Sequence, residues 1–123
     1  MNRSLTALIA DDSASIRLVL SITLRDAGIE VIEATNGQEA LSAAEKQQFD
    51  FVITDINMPV MDGVDLIKQL RTLPNYRFTP ILTLTNLNSD NIKQQLKDAG
   101  ATGWVQKPFG PQNLLKTIEK LAA

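Results

Sequence analysis

Apolar residues recur along this chain in two alternating rhythms. Five short runs are bounded by polar or turn residues and predict strands: Leu5-Thr6-Ala7-Leu8-Ile9-Ala10, Val31-Ile32, Phe51-Val52-Ile53, Pro80-Ile81-Leu82-Thr83-Leu84-Thr85 and Trp104-Val105-Gln106. Between and after them, apolar positions repeat at helical spacing: Ile16, Leu20, Leu24 and Ala27; Ala40, Leu41 and Ala44; Val64, Ile67 and Leu70; Ile92, Leu96 and Ala99; Leu114, Ile118 and Leu121. The punctuation agrees. Ser13 is an N-cap for the first helix and Gly28 its stop. Asn36 with Glu39 resembles a capping box, Asn standing in for Ser or Thr. The second strand ends near Ala34, and the second helix near Gln47. The third strand ends around Thr54, with Asp55 just past it and the chain turned by Pro59 and Gly63. The third helix runs from Val64 to Arg71, and Leu73 to Arg77 reads as a loop. Asn88 or Ser89 opens the fourth helix and Gly100 ends it; Gly110 and Pro111 open the fifth.

Five strands alternating with five helices predict an α/β fold, a doubly wound parallel sheet covered on both faces. Right-handed crossovers then bring every strand's C-terminal end to one edge. With no linker or internal repeat, residues 1–123 are expected to form one domain, a normal size for a single core.

That edge collects the reactive side chains. Asp11 and Asp12 follow the first strand, Asp55 the third, Thr85 closes the fourth, and Lys107 follows the fifth. The second strand, ending in Ala34-Thr35, contributes no charge. Each residue taken alone has a plainer explanation: Asp12 as a helix cap, Asp55 as a turn aspartate, Thr85 as a strand threonine, Lys107 as a surface lysine. Asp62-Gly63 needs only turn chemistry. Their common position at four different strand ends favours a site. If the strand order is 2-1-3-4-5, the first and third strands are neighbours where the winding reverses, and the carboxylates meet in one crevice.

Composition narrows the chemistry. The chain has no cysteine and no histidine, which removes thiol catalysis, imidazole bases and Cys- or His-ligated metals. Any metal is held mainly by oxygen, which selects a hard cation such as Mg²⁺ or Ca²⁺. Three carboxylates and one lysine leave a charge of −2, which one divalent cation cancels; without it, repulsion raises a carboxylate pKa. A carboxylate beside Mg²⁺, an ammonium and a hydroxyl is equipped to attack phosphorus. A net charge of −2 gives no general field for nucleic acid or anionic membrane. No apolar run spans a bilayer, and Met1-Asn2-Arg3-Ser4 leads into a strand rather than a signal peptide, so a cytoplasmic location is expected.

The chain resembles the receiver domains of two-component response regulators. The resemblance rests on Asp11-Asp12, on Asp55-Ile56-Asn57-Met58-Pro59-Val60-Met61-Asp62-Gly63, on Pro80 to Thr85, and on Lys107-Pro108-Phe109. It covers essentially the whole chain and is nearest the stand-alone, CheY-like type of bacterial chemotaxis, since the chain ends with the fifth helix. It implies a flavodoxin-like sheet of order 2-1-3-4-5. It implies that Asp55 accepts phosphate from a phosphohistidine on a sensor histidine kinase. Asp12, Asp55 and the backbone carbonyl of Asn57 would bind Mg²⁺, assisted by Asp11. Thr85 and Lys107 would engage the phosphoryl group, and a cis Lys107–Pro108 bond would aim the lysine inward. Trp104 stands where the family has a switch aromatic, usually Tyr or Phe. Phosphorylation would change the surface of the fourth helix, fifth strand and fifth helix and so control binding of a downstream protein, in a monomer or in a dimer formed on phosphorylation. Apart from its own phosphorylation and slow dephosphorylation, the chain would not be an enzyme. It would not contact nucleic acid directly. Asn86 and Leu87 depart from the family pattern at the site's rim and are expected to hinder attacking water. Two alternatives stand beside this reading. One is a Mg²⁺-dependent aspartyl-phosphate phosphohydrolase, which wants a second Asp where Asn57 stands. The other is a scaffold that works without phosphorylation.

Overall fold

The computed structural model describes residues 5–85, 89–107 and 109–122, with Leu121 and Ala122 described by backbone alone. Met1 to Ser4, Asn86, Leu87, Asn88, the Lys107–Pro108 peptide and the Leu121 side chain therefore lie outside the described residues.

Five strands form one parallel sheet: β1 (Thr6–Ala10), β2 (Glu30–Ala34), β3 (Phe51–Asp55), β4 (Ile81–Thr85) and β5 (Gly103–Gln106). Their order is β2-β1-β3-β4-β5, with every pairing parallel. The helices are α1 (Ala14–Asp26), α2 (Gly37–Lys46), α3 (Gly63–Thr72), α4 (Asp90–Ala99) and α5 (Pro111–Ala122). Leu20 and Leu24 of α1 and Leu114 and Ile118 of α5 pack on one face, against Ala7, Ile9, Ile53 and Leu84. Helices α2, α3 and α4 cover the other, through Ala40, Ala44, Leu66, Ile67, Leu70 and Leu96 on Leu8, Val52 and Ile81. Each fully buried Leu or Ile contributes about 2 kcal/mol relative to an exposed one. The central strands are buried on both sides, which explains their unbroken apolar runs. The edge strand β2 is not, and Ile32 is 43% exposed.

The expected caps form. Ser13 Oγ accepts from the Ile16 N–H at 3.3 Å, and Ser89, rather than Asn88, caps α4 through Ile92. Gly100 takes the left-handed conformation, φ +107°, that ends α4. The Asn36–Glu39 pair departs slightly from a capping box. Asn36 accepts from the Glu39 N–H, but the Glu39 carboxylate accepts from Thr35, one residue before the cap.

Four expectations are corrected. Asp55 is the last residue of β3, not one past it, because the strand keeps register with β4 through Asp55 and Leu84. Helix α3 begins at Gly63, because Asp62 is its N-cap and accepts from the Asp65 N–H at 2.9 Å. Ala27 is the exposed C-cap of α1 rather than part of its buried stripe. The expected loop after α3 contains a 3-10 turn, Pro74–Tyr76, fixed by the buried Tyr76. Its hydroxyl donates to the Gln47 carbonyl at 2.5 Å and accepts from the Phe49 N–H at 3.1 Å. Beneath it, Arg71 joins four segments. Its guanidinium donates to the carbonyls of Tyr76, Thr79 and Gly100 and to the Thr102 hydroxyl.

Candidate functional site

Strand register assembles the site. Ala10 stands opposite Thr54, so the next residues, Asp11 and Asp55, leave neighbouring strands side by side. Asp12 follows on the turn into α1. One carboxylate oxygen from each of Asp11, Asp12 and Asp55 lies within 4.8 Å of the others. The three differ in burial: Asp11 is fully buried, Asp55 is 9% exposed and Asp12 is exposed. From β5, Lys107 reaches in, with Nζ 3.2 Å from Asp55 Oδ2 and 3.8 Å from Asp11 Oδ2. The Lys107 N–H donates to the Thr85 carbonyl at 2.7 Å, so this backbone contact ties the lysine's stem to the end of β4. Thr85 itself is buried at that strand end, one residue beyond Leu84, the register partner of Asp55.

Local hydrogen bonds orient the acids. Asp11 Oδ1 accepts from the Ser13 N–H at 2.9 Å, and Asp55 Oδ1 from the Ile56 N–H at 2.8 Å. Asp11 Oδ2 is buried and accepts no hydrogen bond among the described residues. A buried anionic oxygen in that position is costly unless a cation meets it, and Lys107 Nζ, at 3.8 Å, is too far to donate a hydrogen bond to it. Burial foremost, then the neighbouring Asp55, pushes the Asp11 carboxyl above its ordinary range, while the Ser13 N–H and Lys107 pull it back. The native state therefore holds this proton more tightly than the unfolded chain does. Ionised Asp11 destabilises the metal-free fold above its raised pKa, and the penalty vanishes below the unfolded value. Asp11→Asn is accordingly expected to raise the melting temperature in EDTA at neutral pH. That gain should fade on acidification, which thermal melts across pH would show.

The loop after β3 is built against the site. The Gly63 N–H donates to the Ile56 carbonyl at 2.8 Å, and a Cβ at Gly63 would overlap the Asp55 carbonyl oxygen. The turn glycine is thus also a close-approach glycine. Val60, 82% exposed, takes φ +69° at the centre of a tight turn closed by the Met61 N–H on the Pro59 carbonyl. A β-branched residue is strained there. Asn57 lies exposed on the same loop. Trp104 is half-buried, stands opposite Thr83 and packs on the α2–α4 layer. The Lys93 ammonium lies 5.9 Å from its ring centre, at the outer limit of a cation–π contact.

All four charged residues expected from the strand ends therefore converge. What the sequence did not disclose is the support behind them. Arg17 Nη1 donates to the Asp11 carbonyl at 2.7 Å, and its Nε lies 3.4 Å from Glu33 Oε1 on β2. The second strand does bring a charge to this edge, one residue before its end.

The oxygen-only donor set and the unsatisfied Asp11 Oδ2 fit a hard divalent cation. The sequence profile of the response regulator receiver domain matches residues 7–119. Chemotaxis protein CheY-3 of Vibrio cholerae is 34% identical over 122 residues, covering 98% of this chain and 94% of that protein. The transcriptional regulatory protein PdtaR of Mycobacterium tuberculosis is 39% identical over 113 residues and 91% of this chain, but the match spans only 54% of PdtaR. Among solved structures, V. cholerae CheY4 superposes with a TM-score of 0.94 at 50% identity, covering 97% of this chain and 99% of that one. The receiver domain of the sensor histidine kinase PA1611 from Pseudomonas aeruginosa superposes with a TM-score of 0.91 at 26% identity, covering 98% of both chains. In that protein a magnesium ion is coordinated in the active-site cleft. This chain belongs to the response regulator receiver domain family.

Proposed function

We propose that this chain is a phosphorylation-controlled switch that takes a phosphoryl group onto Asp55 from a sensor histidine kinase. The observation that carries the reading is the convergence of three carboxylates and Lys107 at one sheet edge. An Asp55 oxygen forms the new O–P bond as the N–P bond to the kinase histidine breaks, and the histidine nitrogen keeps the bonding pair. Lys107, beside Asp55, draws charge from the incoming phosphoryl oxygens. Thr85, at the neighbouring strand end, supplies a hydroxyl to the same group. Asp11, Asp12, Asp55 and the Asn57 carbonyl would hold Mg²⁺, which when bound offsets the negative charge of the acids and the phosphoryl group.

The output is binding rather than turnover. Phosphorylation adds charge and acceptor oxygens to Asp55. Thr85 is drawn toward them, Trp104 moves into the vacated space, and the surface of α4, β5 and α5 shifts between two populations. A downstream protein reads that surface. No helix among the described residues is long and apolar enough to cross a membrane. A cytoplasmic location, with a kinase and a protein target as partners, completes the reading.

Incubation with acetyl phosphate and Mg²⁺, followed by intact-mass measurement, tests it. Wild type should gain the mass of one phosphoryl group and Asp55→Asn none. A gain of equal size in Asp55→Asn would move the phosphoryl group to another residue and defeat the proposal.

A further inference from the structure

We infer that Arg17 is a positioning residue for the acid pair, bracing the Asp11–Asp12 peptide against the edge strand so that both carboxylates face one cation. The inference rests on the Mg²⁺ reading of the cluster and goes beyond it. Both backbone groups of Asp11 are held, the N–H by β2 and the carbonyl by Arg17 of α1. Its N–H donates to the Ala34 carbonyl at 3.1 Å, and its carbonyl accepts from Arg17 Nη1 at 2.7 Å. That carbonyl belongs to the peptide joining Asp11 to Asp12. Fixing its plane sets ψ of Asp11 and φ of Asp12, one of the two backbone dihedrals that direct each side chain, and the held Asp11 N–H restrains the other for Asp11. Arg17 is itself held, because its Nε meets Glu33 at 3.4 Å, with the two side chains only 17% and 35% exposed.

The pairing with Glu33 solves an electrostatic problem. A free guanidinium this close to the acids would repel a divalent cation or displace it. With its Nε edge turned to Glu33 and Nη1 on a carbonyl, Arg17 supplies geometry with its charge offset. The fork matters, because a lysine ammonium presents one point charge and replaces one end of the brace at most. Groups that orient metal ligands from behind commonly change metal affinity about tenfold or more when removed.

The test is calorimetric titration of the whole chain with MgCl₂, paired with thermal melts in EDTA, for wild type, Arg17→Met and Arg17→Lys. The expected result is Mg²⁺ affinity about tenfold weaker in Arg17→Met, with Arg17→Lys restoring little of it. A merely structural arginine would lower the metal-free melting temperature and leave the Mg²⁺ affinity of the folded protein unchanged. Unchanged affinity in both variants would overturn the brace while leaving the cation site intact. Wild type that takes up no Mg²⁺ would overturn the brace and the cation reading together.

Discussion

Lys107→Met is expected to slow phosphoryl uptake from acetyl phosphate about a hundredfold, the usual scale for removing one donor aimed at developing charge. The ammonium is 3.2 Å from Asp55 Oδ2 and reaches Asp11 as well. Losing it takes the cluster from a charge of −2 to −3. The variant should therefore hold Mg²⁺ at least as tightly as wild type. Slower chemistry with undiminished metal affinity separates a role in phosphoryl transfer from a role in metal binding. A time course by intact mass, run beside a Mg²⁺ titration, reads both. Wild-type rates in Lys107→Met would remove the lysine from the mechanism.

Arg71→Met is expected to cost about 4 kcal/mol of stability without touching the site. One guanidinium satisfies three backbone carbonyls and a hydroxyl drawn from the 3-10 turn, the loop leading into β4 and the connection into β5. A hydrogen bond from a charged donor is worth about 2 kcal/mol, but bonds made by one side chain do not add, because water reaches part of the freed acceptors. Burial pushes the Arg71 pKa down. A denaturant melt should show the midpoint falling, with phosphoryl uptake by the remaining folded protein retained. A loss of stability no larger than that of an exposed arginine would contradict the clamp.

Arg71 also shows why part of the molecule could not be read from the sequence. Its partner Gly100 lies 29 residues away, and the grouping exists only once α3, β4 and β5 are packed. Arg17 and Glu33 are hidden for the same reason: neither falls on an apolar repeat, and they meet only after α1 lies beside β2. Features set within a few residues were legible. Ser13, Gly100 and the Asn36–Glu39 turn act through neighbours in sequence. Asp11, Asp12, Asp55 and Lys107 were legible for a different reason. Each sits where an apolar run stops, and a parallel α/β fold brings all such stops to one edge. The end of β3 was misplaced by one residue because register with Leu84 decides it, not the apolar run. Gly63 read as a turn because the overlap that excludes a side chain comes from β3, not from its own loop.

The central claim is that the acid pair beside Asp55 forms a cation-neutralised pocket without which Asp55 cannot carry a phosphoryl group. The direct measurement is phosphoryl uptake by the Asp11→Asn/Asp12→Asn double variant, scored by intact mass in acetyl phosphate with Mg²⁺ and again with EDTA. The account predicts that wild type is labelled with Mg²⁺ and not with EDTA, and that the double variant stays unlabelled in both. Labelling of the double variant on Asp55 at the wild-type rate would contradict it.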